Sequence, residues 1–221
     1  FRKPKTLLSE LKKVSNKNDD GYELALNKLF KKQNFTFLEN SKQWVALKFP
    51  WHALDLTQHF LAQQKPKISK QASIAKTAII EGNTVIHSGT RILDYAIVKN
   101  SVIGENAVIG NHSLVRDSLI QENAVIGGSS EVARSYIGNN SWLHRNYIGD
   151  SVLAKNVSLG SGCVCANLRL DDEEIFCEIQ NKKIATQKNK FGCVIGKNSR
   201  VGVNTSIMPG VLVGEGSFIG S

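Results

Sequence analysis

No stretch of this 221-residue sequence approaches the ~18 consecutive apolar residues that a membrane span requires, so a transmembrane helix is excluded. There is no CxxC pair. The four cysteines, Cys163, Cys165, Cys177 and Cys193, all fall in the C-terminal third, and no signal-peptide pattern accompanies them, so a secreted disulfide framework does not fit. Reduced thiols in small core positions and a zinc site of unrecognised spacing both stay open. Lys and Arg are spread out without the interleaved aromatics of an RNA-binding surface. The net charge of +9 still suits a polyanion, whether nucleic acid, an anionic membrane or a phosphorylated small molecule. Met is missing from position 1, and a chain beginning at Phe1 reads as part of a longer one. With 41% hydrophobic and 21% charged residues, the sequence is expected to be folded and soluble.

What is present is a period. Ile86, Ile103, Ile120 and Ile137 recur every 17 residues, as do Ile92, Ile109, Ile126 and Leu143, and Val98, Val115 and Val132. Each 17 divides into steps of 6, 6 and 5, and the later steps are plain sixes through Ile195, Val201, Ile207, Val213 and Ile219. A hexad matches neither helical nor two-residue strand periodicity. Its physical solution is a triangular parallel β-helix, in which aliphatic residues stack inward at ~4.8 Å per coil and Gly or Asn takes the corners.

The period is interrupted between Val164 and Val194. Two extended runs, 175–179 and 184–186, flank a turn-like Asn181-Lys182-Lys183, which predicts a hairpin excursion over 165–193. Ahead of the repeats, residues 1–65 predict two helices around Leu7 to Val14 and Leu24 to Phe30, strands at 35–38 and 44–47, and a third helix opened by Pro50. QQKPKISKQ reads as a linker to a β-helix over 68–221. One segment stands apart. WLHRNY, from Trp142, sets an indole, an imidazole, a guanidinium, an amide and a phenol among residues that merely stack.

The hexad columns, HRNYIGDS from His144, GSGCVCANLRLDD from Gly160 and KFGCVIG from Lys190 together resemble a known family. These are the bifunctional sugar-1-phosphate nucleotidyltransferase/acetyltransferases, of the glucosamine-1-phosphate N-acetyltransferase and UDP-N-acetylglucosamine pyrophosphorylase type. SKQWVALKFPWHALDLTQHFL resembles the end of the family's nucleotidyltransferase domain, so the likeness spans nearly the whole chain. It implies a mainly β chain, a left-handed parallel β-helix with a small α/β N-terminal segment. It also implies acetyl transfer from acetyl-CoA to the amine of an amino-sugar 1-phosphate, in a cytoplasmic homotrimer that needs neither nucleic acid nor membrane. The Gly-rich nucleotide loop and catalytic Lys of the nucleotidyltransferase are not found, so nucleotidyl transfer, with its Mg²⁺, is not expected of these residues.

The resemblance also assigns roles. His144, in H-x-x-Y, takes the family's general base, and imidazole titrates near neutrality. Tyr147 and Asn167 match residues that hold the sugar, and Arg116 and Lys190 match phosphate-contacting cations. Ser161 and Val203 fall where the family brings the thioester donor close. The family's acetyl-transfer step uses no metal. By residue type alone, each of these could be an ordinary surface side chain. The sequence departs from the family twice: Ala133 replaces a phosphate-contacting Lys, with Arg134 expected to face elsewhere by strand alternation, and one residue is missing between Ile137 and His144. A rival reading is a non-catalytic oligomerisation or regulatory β-helix of a nucleotidyltransferase.

Overall fold

A computed structural model describes residues 4–14, 20–36, 38–39 and 44–220. The chain forms two compact units, 1–44 and 45–221. In the first, α1 (Pro4–Leu11) and α2 (Gly21–Phe30) pack together, with Ala25 and Leu29 buried. The ammonium groups of Lys32, at 3.0 Å, and Lys13, at 3.2 Å, hold the Glu10 carboxyl below its usual range. The strands expected at 35–38 and 44–47 do not form among the described residues. Leu38, Trp44 and Leu47 are exposed there, and without a partner ladder β-propensity has nothing to act on.

The second unit is a three-faced parallel solenoid. Eight strands stack on the first face, from Lys67–Ile68 to Leu212–Val213, eight on the second, from Ser73–Ile74 to Phe218–Ile219, and seven on the third, from Ile79–Glu81 to Ser206–Ile207. The first strand thus begins within the segment read as a linker. Register follows the sequence period: Ile120 pairs with Ile103 and Ile137, Ile126 with Ile109 and Leu143, and Val115 with Val98 and Val132. All of these residues are fully buried in one continuous core. The corners turn through left-handed backbone, at Asn106, Asn123, Asn140 and Asn156 for example, where a short amide side chain tolerates φ of 56° to 58°. This architecture fits the left-handed β-helix.

Outward positions on the first face are apolar for a reason. The helix α3 (His52–Ala62) lies in the same compact unit as the solenoid, and Trp51 and Leu54 pack with Ile175, Cys177 and Phe191 of the excursion over Tyr136, Val152, Val194 and Leu212. The excursion is the expected hairpin, Phe176–Ile179 against Lys182–Ala185. It leaves the third face after Val164–Cys165 and rejoins the first at Val194–Ile195. All four cysteines are buried free thiols, and burial pushes Cys177 up to about 11.

Candidate functional site

The coil that carries His144 is one residue shorter than the coil before it. Ile137 to Leu143 is six steps, as is Ile120 to Ile126; the short step is Leu143 to Ile148, five against six for Ile126 to Val132. The corner His144-Arg145-Asn146 is therefore the trimmed one, and no residue in 141–149 has positive φ. Asn146 fills the gap. It occupies the inward column of Ser113 and Ser130, is buried, and donates Nδ2 to the carbonyls of Gly160 at 2.8 Å and Cys163 at 3.3 Å. Its Oδ1 is buried without a partner among the described residues. The tight corner also presses on the preceding coil: a Cβ at Gly127 would lie 2.0 Å from the His144 carbonyl oxygen, so only glycine fits there.

Turning inward, Leu143 and Asn146 leave Trp142, His144 and Arg145 exposed. The His144 imidazole has no hydrogen-bond partner among the described residues; the Trp142 indole lies 6.4 Å away, centroid to centroid. Both line a groove of about 430 Å³ on the second face, with Asn140, Asn156, Ser158 and Arg200.

Ser161 and Val203 lie on the same corner ridge as His144, in the column of the neighbouring Arg145, while His144 stacks on Gly160 and Gly202. Gly162 donates to the Arg145 carbonyl and Asn204 to that of Ser161, at 2.8 and 2.9 Å, so the three corners stack coil upon coil. Ser161 is exposed, and its amide N–H has no acceptor among the described residues. Small residues at Gly160, Ser161 and Gly162 leave this ridge open beside the imidazole.

The adjoining third face carries the other candidates. Tyr147 donates its hydroxyl to Asn167 Oδ1 at 3.3 Å. Arg116 lies two coils earlier, in the column Arg116, Ala133, Gly149, and its Nη2 is 2.9 Å from Glu131 Oε1. That Glu131 stands beside Tyr147 in register. Lys190 reaches the site only through backbone, bridged to Leu168 while Phe191 donates to the Asn167 carbonyl. Its exposed side chain lines an open depression on the excursion with Glu174 and Lys188.

Strand alternation does not reach Arg134, because the strand ends at Ala133. Arg134 is a corner residue with φ of 48°, not a strand residue, and its guanidinium grips Asp150 through Nε–Oδ1 and Nη2–Oδ2, both 2.7 Å. The hydrogen-bonded carboxylate raises the Arg134 pKa further, burial opposing. Asp150 Oδ2 also accepts from Asn167 Nδ2, which ties Arg134 to Tyr147. The sequence offered Arg134 only as the neighbour of Ala133 and Asp150 only as a member of HRNYIGDS, with no role for either. The available signal was position: residues 100, 117, 134 and 150 all sit at the same trimmed corner.

Residues 62–185 match the GMPPB C-terminal domain family, more than half of the chain. The chain belongs to that family. Its relatives include a protein from Methanococcus aeolicus named bifunctional protein GlmU, 35% identical over 89% of this chain and 48% of its own length. The Methanocaldococcus jannaschii protein of the same name is 30% identical over 97% of this chain and 52% of its own. A Sulfurisphaera tokodaii bifunctional sugar-1-phosphate nucleotidylyltransferase/acetyltransferase is 33% identical over 86% and 48%. The chain thus spans about half the length of these curated relatives, and it matches their C-terminal portion. Among the described residues, no helix is long and apolar enough to cross a membrane.

Proposed function

We propose that this β-helix is an acyltransferase that moves the acetyl group of acetyl-CoA to the amine of an amino-sugar 1-phosphate, with glucosamine 1-phosphate the first candidate. It would work as the C-terminal part of a bifunctional cytoplasmic enzyme, in a homotrimer. The single observation that carries the reading is the ridge of His144, Ser161 and Val203 beside the Tyr147–Asn167 pair, in a chain of this family. An exposed imidazole with no hydrogen-bond partner among the described residues keeps a ring nitrogen free for a substrate N–H.

Acyl transfer to nitrogen needs a base, an oxyanion donor and a held acceptor. His144 removes a proton as the amine attacks the thioester carbonyl, and the Ser161 N–H, which has no acceptor among the described residues, donates to the oxyanion that forms. When the intermediate collapses, a C–N bond has replaced the C–S bond and the proton goes to the departing thiolate. Tyr147 and Asn167 hold the sugar, while Arg116 and Lys190 attract its phosphate. Ser161 and Val203 border the pantetheine. Nucleotidyl transfer and its Mg²⁺ are not assigned to these residues.

One observation favours the rival regulatory role: the acceptor side has lost a cation at Ala133, and Arg116 already faces Glu131. A thiol-release assay with acetyl-CoA and glucosamine 1-phosphate separates the two. Turnover that depends on His144 supports the transferase, whereas a folded protein inert towards amino-sugar phosphates favours the regulatory β-helix.

A further inference from the structure

A guanidinium only donates hydrogen bonds and an ionised carboxylate only accepts them, so a hydrogen-bonded chain that begins with such a pair has a fixed direction. On the third face that pair is Arg134 and Asp150. Asp150 Oδ2 takes a further bond from Asn167, and only the NH₂ end of the amide can supply it. The amide carbonyl is thereby turned towards Tyr147, and the phenol spends its one proton on Asn167 Oδ1. What the Tyr147 oxygen offers outward is lone pairs. The relay lies directly over Gly149, where a Cβ would come within 2.7 Å of the Asn167 amide and 2.8 Å of the Tyr147 oxygen. Its inner end is shielded, the Asp150 side chain being 10% exposed, so water competes poorly for those acceptors.

We propose that Arg134 and Asp150 are positioning residues that set the polarity of the Tyr147 hydroxyl, so that Tyr147 accepts a hydrogen bond from substrate and selects a group able to donate one, a hydroxyl or an amine N–H. This rests on the reading that Tyr147 and Asn167 face the amino sugar. Asp150→Asn is nearly isosteric and tolerates the local φ of 45°. It removes the acceptor-only group, frees the Asn167 amide to turn over, and lets the Tyr147 proton point outward.

The probes are glucosamine 1-phosphate and its monodeoxyfluoro analogues, in which fluorine accepts weakly and cannot donate. For the wild type, the analogue fluorinated opposite Tyr147 is expected to lose about 10- to 100-fold in kcat/KM, the scale of one polar group left unmatched. In Asp150→Asn that loss shrinks to about threefold or less, with the KM for acetyl-CoA unchanged, whereas Arg134→Lys, which keeps a cation beside Asp150, discriminates as the wild type does. Wild-type discrimination surviving in Asp150→Asn, or none in the wild type, overturns the relay. Failure of the functional reading looks different: no amino sugar is acetylated at all. The relay then stands or falls on the ¹⁵N-labelled protein without substrate, where an Asn167 amide proton bound to a carboxylate resonates downfield and loses that shift in Asp150→Asn. An Asn167 amide that looks solvated in the wild type overturns it.

Discussion

Two neighbouring coils, residues 120–136 and 137–152, bury the same interior and present different exteriors. Inward, Ile120, Ile126 and Val132 answer to Ile137, Leu143 and Ile148, all fully buried. Outward, Glu131 gives way to Tyr147, Ala133 to Gly149 and Arg134 to Asp150, and the corner Gly127-Gly128-Ser129-Ser130 gives way to His144-Arg145-Asn146. One coil has 17 residues and the other 16. The stack tolerates the loss because the inward columns stay in register across the short corner, with Asn146 bridging to the next coil. The fold is held by what points in. Chemistry is free to vary in what points out.

The sharpest way to break this contrast is His144→Ala. A general base is worth ~10² to 10⁴ in rate, so kcat should fall by that factor with little change in acetyl-CoA affinity, while Ser129→Ala, on the ordinary corner one coil earlier, changes neither. Steady-state thiol release measures both. A folded His144→Ala protein with undiminished turnover removes the base assigned here.

Equivalence of the interiors is tested next. Leu143→Ala and Ile126→Ala each delete a buried aliphatic side chain in the same column, and each should cost about 2 to 5 kcal/mol by denaturant unfolding, within about 1 kcal/mol of the other. A much smaller loss at Leu143 would mean that the short coil is loosely packed. Restoring its length probes the exterior instead. One glycine inserted between Arg145 and Asn146 displaces His144 relative to Tyr147, and misplacement by about 1 Å can cost roughly 10²-fold in rate. Circular dichroism should still report the β-solenoid. Full activity in the insertion variant would show that the trimmed corner has no catalytic purpose.

These tests also separate what could be read in the sequence from what could not. The three aliphatic columns were visible because stacking demands the same residue type at every coil, and the hairpin because turn residues separate two extended runs. Arg134 was not legible, since period-two reasoning assumes a strand and residue 134 turns a corner with positive φ. Nor was the burial of Asn146, which looks like part of the polar cluster until the coil is closed and its side chain faces the Gly160 carbonyl. The short step from Leu143 to Ile148 can be counted in the sequence, but what fills the corner cannot. The strands anticipated before Pro50 had local propensity without partners.

The smallest expected effect concerns Arg116, which sits opposite Ala133 and shares its charge with Glu131. Both side chains of this pair are about one-third exposed, so its stabilising value is below about 1 kcal/mol, and Arg116→Ala should leave unfolding nearly unchanged. A charge-assisted bond to phosphate is worth about 1.5 to 3 kcal/mol, and prior pairing with Glu131 puts Arg116 at the low end, so KM for the phosphosugar should rise about tenfold. Because that contact exists in ground and transition states alike, kcat should stay within about twofold. Glu131→Gln acts in the opposite sense: it releases the guanidinium from its carboxylate and should lower the same KM by about two- to threefold. If neither substitution moves KM, Arg116 and Glu131 are a solvated surface pair, and the phosphate must be held by another cation.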